Sequence, residues 1–252
     1  MVFDPSGPEA RSHTADNATI GENIVDGDET NEGEFPWQAY IFMRAPGAKP
    51  HAGGGVIISP THILTAAHVV TEKFTSHRRH GTFEVYVGAT KTTAFPKKHT
   101  VKDVYIHDKY KWTTNMKTLR FDVAIIELEE PLRFSSLVKS ICLPSPSSES
   151  QSYEGKKGWI SGWGAIGFEK KSKTSEDLLK AIVVIANNTF CKHEYDPSHI
   201  EISESMTCTY SSDDGGDACR GDSGGPLVLK DHDSGRYFLV SFHKTQRHEM
   251  TL

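Results

Sequence analysis

Apolar residues in this chain come in short runs rather than long ones. From Ile24 onward the pattern reads as strands at Gln38–Met43, Gly55–Ser59, Phe83–Val87, Val101–Ile106, Val123–Leu128, Gly158–Ser161, Leu178–Ile185, Leu227–Lys230 and Tyr237–Val240. Each run is bounded by Gly, Pro, Ser, Asn or Asp, the residues that end strands and make turns. Many short strands with turns between them predict an all-β fold, an antiparallel sandwich or barrel. Helical period is weak, with short candidates only at Ala66–Val70 and Asn188–His193. Residues 1–23 are polar and read as a linker or pro-segment. The stretch Pro144–Tyr153, with two prolines and five serines, is a natural boundary between two halves. No convincing internal repeat runs across it.

Composition narrows this picture. Of 252 residues, 37% are hydrophobic and 24% charged, enough apolar content for a packed core. The net charge is −5, and no Lys/Arg run is long enough to suggest nucleic acid. The pair Arg78-Arg79 reads as part of a solvated loop. The longest apolar run, Val123-Ala124-Ile125-Ile126, is far too short to span a bilayer, so no membrane partner is expected. Met1–Pro5 has neither the basic start nor the apolar stretch of a signal peptide. The four cysteines, Cys142, Cys191, Cys208 and Cys219, have no C-x-x-C spacing, which argues against a zinc ribbon or a redox motif. Sequons at Asn17-Ala18-Thr19 and Asn187-Asn188-Thr189 fit secretion.

Three segments carry chemistry. Glycines flank Ser223 in Gly221-Asp222-Ser223-Gly224-Gly225-Pro226. They let a backbone approach closely and let successive N–H groups aim at one spot. The plainer reading is a Gly-Ser turn. A nucleophilic serine needs a base. Of 13 histidines, His68 stands out because it closes the packed run Ile63-Leu64-Thr65-Ala66-Ala67. The base in turn needs a buried carboxylate. Asp122 opens an apolar strand, where an acid is otherwise a strand-end cap.

Taken together, these segments resemble the trypsin/chymotrypsin family of serine proteases. Thr65-Ala66-Ala67-His68 is similar to its histidine motif, Asp122-Val123-Ala124-Ile125 to its aspartate motif and Gly221–Pro226 to its serine motif. The order His, Asp, Ser matches this family and not subtilisin or the α/β-hydrolases. Ile24-Val25-Asp26-Gly27, Phe35-Pro36-Trp37-Gln38, Ile141-Cys142-Leu143-Pro144 and Ser161-Gly162-Trp163-Gly164 add to the likeness, which runs to about Val240. The resemblance implies two six-stranded antiparallel β-barrels, about 38–143 and 153–240, within a protease domain at 24–252. Its catalytic residues would be His68, Asp122 and Ser223. The N–H groups of Gly221 and Ser223 would form the oxyanion hole. Asp217, six residues before Ser223, would floor the specificity pocket and select protein substrates with Arg or Lys before the cut bond. Cleavage before Ile24 would free an amino group to pair with Asp222. Asn23 precedes Ile24 where a basic residue is usual, and Arg11 is the only base upstream. No cofactor or metal is implied: the Lys-rich loop from Thr90 to His99 lacks the acidic ligands calcium needs.

The cysteines refine the likeness. The family's bridge beside the histidine would involve Gly53 and Val69, and a second would involve Gly158 and Leu229. Both pairs are lost together. This resembles the complement-initiating and lectin-associated proteases, which are secreted. The resemblance implies that Cys191 pairs with Cys208, a closure worth roughly 3 kcal/mol in the chain-entropy model. It also implies that Cys142 bonds an upstream regulatory chain, and it leaves Cys219 without a partner. After Val240 the pattern departs from the family. The expectation is a second barrel truncated at its C-terminal end, with Val228 and Leu239 exposed and the given chain inactive and poorly stable. The rival reading is a catalytically inactive haptoglobin-like binding module or a truncated inactive isoform.

Overall fold

A computed structural model describes residues 27–44, 49–71, 82–110, 121–144, 152–167, 172–195, 206–212 and 217–242. Strand β1 is Asp28–Glu29, β2 Gln38–Arg44, β3 His51–Ile57, β4 His62–Thr65, β5 Thr82–Val87, β6 His99–Ile106 and β7 Ala124–Leu128. Then follow β8 Lys157–Gly162, β9 Leu179–Ala186, β10 Cys208–Ser211, β11 Pro226–Lys230 and β12 Tyr237–Phe242. Two short helices interrupt them, α1 at Ala67–Thr71 and α2 at Asn188–Tyr195.

Period-2 alternation explains the first half. In β7, Ala124, Ile126 and Leu128 are buried while Ile125 and Glu127 are not. The same alternation buries Val85 and Val87 in β5. With Ile41, Met43, Ile57 and Ile63 these side chains fill the inside of a closed barrel in the order β2-β3-β4-β7-β6-β5. Closure leaves no unpaired edge in that half.

The second half is a six-stranded antiparallel sheet, β1-β9-β8-β11-β12, with β10 also paired to β9. Ile160, Leu179, Val183, Leu227 and Leu229 make its own core. The fold is therefore all-β, as expected, with one closed barrel and a second sheet. Both ends of the first half enter this sheet. β1 pairs with β9, and Cys142 forms an isolated parallel bridge to Phe238.

A third cluster lies between the halves and contains Phe35, Trp37, Val56, Ile141, Trp163 and Leu178. Val228 and Leu239 belong to it, with exposures of 0% and 4%, so the expectation that they face water is corrected. Their apolar faces are covered by the first half instead, and the Leu239 N–H donates to the Cys142 carbonyl at 2.9 Å. Residues 1–23, Ile24, the sequon at Asn17 and the Arg78-Arg79 pair lie outside the described residues.

Candidate active site

His68 sits in the short helix α1, which follows β4 through Ala66. Ala66 and Ala67 are fully buried, so small side chains let this segment pack tightly under the imidazole. Thr71 Oγ1 donates back to the Ala67 carbonyl (2.7 Å) and ties down the single turn. Asp122 stands two residues before β7. Its two oxygens grip one residue twice: the His68 backbone N–H donates to Oδ1 (2.8 Å) and His68 Nδ1 lies 2.8 Å from Oδ2. The side chains are 5% and 11% exposed. Held through its backbone N–H and through Nδ1, His68 has that ring nitrogen committed to the carboxylate and turns Nε2 away from it.

The turn before Asp122 is unusual. Phe121 has φ 57°, the one left-handed residue other than glycine among the described residues. Its ring stacks on His107 at 4.9 Å and 13°, with Lys109 Nζ 5.4 Å from the ring centroid.

Ser223 reaches the same region from the second half. Its carbonyl accepts the Gly54 N–H of β3 at 2.8 Å, and the Gly54 carbonyl accepts Thr65 Oγ1 at 2.8 Å. Thr65 is three residues before His68, so β3 links the serine loop to the histidine segment. Glycine is required here for space. A Cβ on Gly54 would meet Gly225 N at 2.6 Å, and one on Gly224 would meet the Gly54 carbonyl at 2.5 Å. The pattern reading missed this cradle. Its signal was Gly53-Gly54-Gly55 in a strand, since glycine inside a strand marks close backbone approach.

Gly221 has φ 101° and belongs to a tight turn in which the Asp222 N–H donates to the Cys219 carbonyl (3.0 Å). Asp222 is 1% exposed. Its Oδ1 accepts the Gly164 N–H (2.7 Å) and its Oδ2 the Cys219 N–H (2.8 Å). A Cβ on Gly162 or Gly164 would overlap this carboxylate, so both glycines form its pocket. Burial pushes the Asp222 carboxyl up to about 7 against the pull of those two donors, and the nearby Asp217 charge adds to the rise. No cation pairs with it among the described residues.

Asp217 is half-buried, and its Oδ1 accepts the Ala218 N–H at 2.8 Å. Burial raises its pKa, a rise partly opposed by that hydrogen bond. It too has no ion-pair partner among the described residues. Cys191 and Cys208 form a disulfide. Cys142 is a free, exposed thiol, and Cys219 is free and buried, with Sγ 3.4 Å from the Gly167 carbonyl.

The two expected bridge positions are adjacent in space. A Cβ on Gly53 would lie 2.7 Å from Val69 Cγ1, and one on Gly158 would lie 3.3 Å from Leu229 Cδ2. In each pair an aliphatic side chain fills the room beside a residue that has no side chain.

Beyond the closed barrel and the facing sheet, comparison with known families gives a match. The family described as Trypsin covers residues 24–248, most of the chain. The chain belongs to the trypsin family and is by family a serine endopeptidase.

Proposed function

We propose that the chain hydrolyses peptide bonds after Arg, and less readily Lys, through an acyl-enzyme on Ser223. Ser223 Oγ attacks the scissile carbonyl while His68 Nε2 takes its proton. Asp122 holds the Nδ1–H and stabilises the imidazolium. The N–H groups of Gly221 and Ser223 receive the oxyanion. A left-handed residue in a tight turn directs successive N–H groups the same way, as that role needs. His68 then gives its proton to the leaving amine, and water releases the acyl group by the reverse sequence.

The observation that supports this reading most is the double grip of Asp122 on His68. A strand-end cap has no reason to bind both the backbone and the ring of one distant residue. Asp217 supports the Arg/Lys preference, because a half-buried carboxylate with no ion-pair partner among the described residues favours a cationic guest. Asp222 would receive the freed amino group of Ile24 on activation, since a buried acid raised to about 7 gains from an ammonium partner. Residues 1–23 act as a pro-segment or linker, and residues 24–252 as the protease domain. Cys142 is the anchor for an upstream regulatory chain, supported by its exposed thiol. The two glycine–aliphatic pairs favour kinship with the complement-initiating and lectin-associated proteases. The Cys191–Cys208 bridge favours an extracellular setting.

The test is a fluorophosphonate probe on the chain cut before Ile24. We expect labelling that Ser223→Ala abolishes. Asp217→Ser is expected to remove the preference for Arg-containing peptides while labelling persists. Labelling that survives Ser223→Ala overturns the nucleophile, and an unchanged Arg preference in Asp217→Ser overturns the pocket floor.

A further inference from the structure

We propose that Thr65 is a positioning residue for the reaction at Ser223: its hydroxyl, acting through Gly54, holds the Ser223–Gly224 peptide in one of the two orientations its turn permits. The proposal rests on Ser223 being the nucleophile and adds a residue that touches neither the substrate nor the reacting atoms.

Asp222-Ser223-Gly224-Gly225 is a β-turn, closed by the Gly225 N–H donating to the Asp222 carbonyl at 2.8 Å. Gly224, its third residue, has φ 85°, which makes the turn type II. A type I turn of the same residues differs mainly by a flip of the central peptide, Ser223–Gly224. Glycine as third residue tolerates both forms, so the loop's own sequence does not choose between them. The choice is made from outside. In the observed form the Ser223 carbonyl accepts the Gly54 N–H at 2.8 Å. A flip turns that carbonyl away and strips the acceptor from an N–H on a buried residue.

Gly54 is in turn held by Thr65. The backbone ladder between β3 and β4 ends at Val56–Leu64. Past that point the Thr65 side chain takes over, its Oγ1 donating to the Gly54 carbonyl at 2.8 Å. Thr65 is 0% exposed, the one polar residue in the run Ile63-Leu64-Thr65-Ala66-Ala67. A hydroxyl so deep needs an acceptor, and a valine of similar shape would fill the space without one. A Cβ on Gly224 would overlap Thr65 Oγ1, so the hydroxyl also lies against the third residue of the turn.

The position of Thr65 suits this role. Its backbone pairs with Ala124, two residues after Asp122. His68 follows it by three residues, and Gly54 carries its hold to Ser223. One residue therefore belongs to all three segments that bear the reactive groups. The grip of Asp122 on His68 does not pass through the hydroxyl. Losing the hydroxyl loosens Ser223 relative to His68 and leaves that pair, and Asp217, in place. Turnover then suffers and substrate affinity does not.

The test uses the chain cut before Ile24 and two pairs that differ at the hydroxyl, parent against Thr65→Val and Thr65→Ser against Thr65→Ala. Within each pair, loss of the hydroxyl is expected to lower the fluorophosphonate labelling rate and kcat on an Arg-containing peptide by about 10–100-fold. KM is expected to stay within about twofold, the signature of an interaction that acts on the reacting geometry and not on binding. Thr65→Ser is expected to label far faster than Thr65→Val. Rates are taken below the melting midpoint of each variant, so unfolded chain does not enter. If Thr65→Val does not fold, the Ser and Ala variants decide. Equal rates within a folded pair overturn the proposal, as does a raised KM with kcat unchanged. Thr65→Ser as slow as Thr65→Val overturns it too, because the shared hydroxyl would then be immaterial. Parent labelling that survives Ser223→Ala overturns the nucleophile and this proposal with it. Ser223-dependent labelling that ignores the hydroxyl overturns this proposal alone.

Discussion

At the scale of single residues, the site is defined as much by what glycines omit as by what reactive groups supply. His68, Asp122 and Ser223 were singled out in the sequence, the first two because they close and open apolar runs and the third because glycines flank it. The residues that hold these segments against one another gave no such sign. Gly54, Gly162 and Gly164 act through absent side chains, and that role becomes visible only when the approaching atoms are known. Phe121 was illegible for a related reason. An aromatic residue gives no sign in sequence that its backbone is left-handed. Such a conformation costs a bulky residue on the order of 1–3 kcal/mol, and here the stack on His107 offsets part of it. The kink immediately precedes Asp122, so it sets the direction in which that carboxylate leaves the chain. Phe121→Asn, which tolerates positive φ, is expected to lose only the stack. Phe121→Val, β-branched and ill suited to this region, is expected to be about 1–2 kcal/mol less stable than Phe121→Asn. Urea melts of the two variants measure the difference, and equal midpoints would contradict a structural role for the left-handed turn.

At the scale of elements, alternation was a good guide where a strand had one buried face, and a short apolar run where, as in β11, both faces are buried. The runs read at Gln38–Met43, Phe83–Val87, Val101–Ile106 and Leu227–Lys230 reappear as β2, β5, β6 and β11 with ends shifted by a residue or two. Strands β1, β4 and β10 were missed. They have two to four residues, too few to show a period, and are held by their neighbours. β4 is set by its ladder to β7, from His62–Glu127 to Thr65–Ala124, and β10 by its ladder to β9 and the Cys191–Cys208 bond. The β3–α1 contact shows how two elements dispense with a covalent link. Gly53 on β3 leaves the space that Val69 on α1 fills. Gly53→Ala places a methyl 2.7 Å from Val69 Cγ1 and is expected to cost about 1–3 kcal/mol. Val69→Ala alone leaves a void and costs about 1–2 kcal/mol. The double variant relieves the clash by filling the void, so its loss is expected to be smaller than the two single losses added together. The Ser223 carbonyl, 3.0 Å from the added Cβ, keeps the relief incomplete. A double-mutant cycle by denaturant unfolding reads the coupling. Strict additivity would mean that Gly53 and Val69 do not share one space.

At the scale of the whole molecule, the two halves are joined by backbone pairing and by two ion pairs, Lys91–Asp177 and Lys180–Glu34, both at 2.6 Å. β1 crosses to β9, Cys142 bridges to Phe238, and the serine loop rests on β3. The apolar cluster that includes Trp37, Val228 and Leu239 seals the contact. The sequence pattern placed Val228 and Leu239 in strands correctly, yet it gave no way to see that their covering surface comes from the other half. Asp222 adds a buried acid to this junction, in the loop that reaches across to β3. Its carboxyl titrates near 7, whereas an unfolded Asp titrates near 3.8. Between those values the folded chain keeps a proton that the unfolded chain has released. Stability from this group is therefore fullest below about pH 4 and falls as pH rises toward 7, by on the order of 4 kcal/mol in all. Asp222→Asn removes the titration while adding a fixed cost for its altered hydrogen bonding. The stability of the parent relative to Asp222→Asn is thus expected to decline steadily from pH 4 to about pH 7 and to level off above. An ammonium delivered beside Asp222 by a free Ile24 terminus would hold the carboxylate charged, lower its pKa and flatten that decline. Urea unfolding of parent and variant across this range, with residues 1–23 present and again after cleavage before Ile24, measures both effects. A parent–variant difference that is constant with pH in the uncut chain would show that Asp222 is already paired before any cut is made.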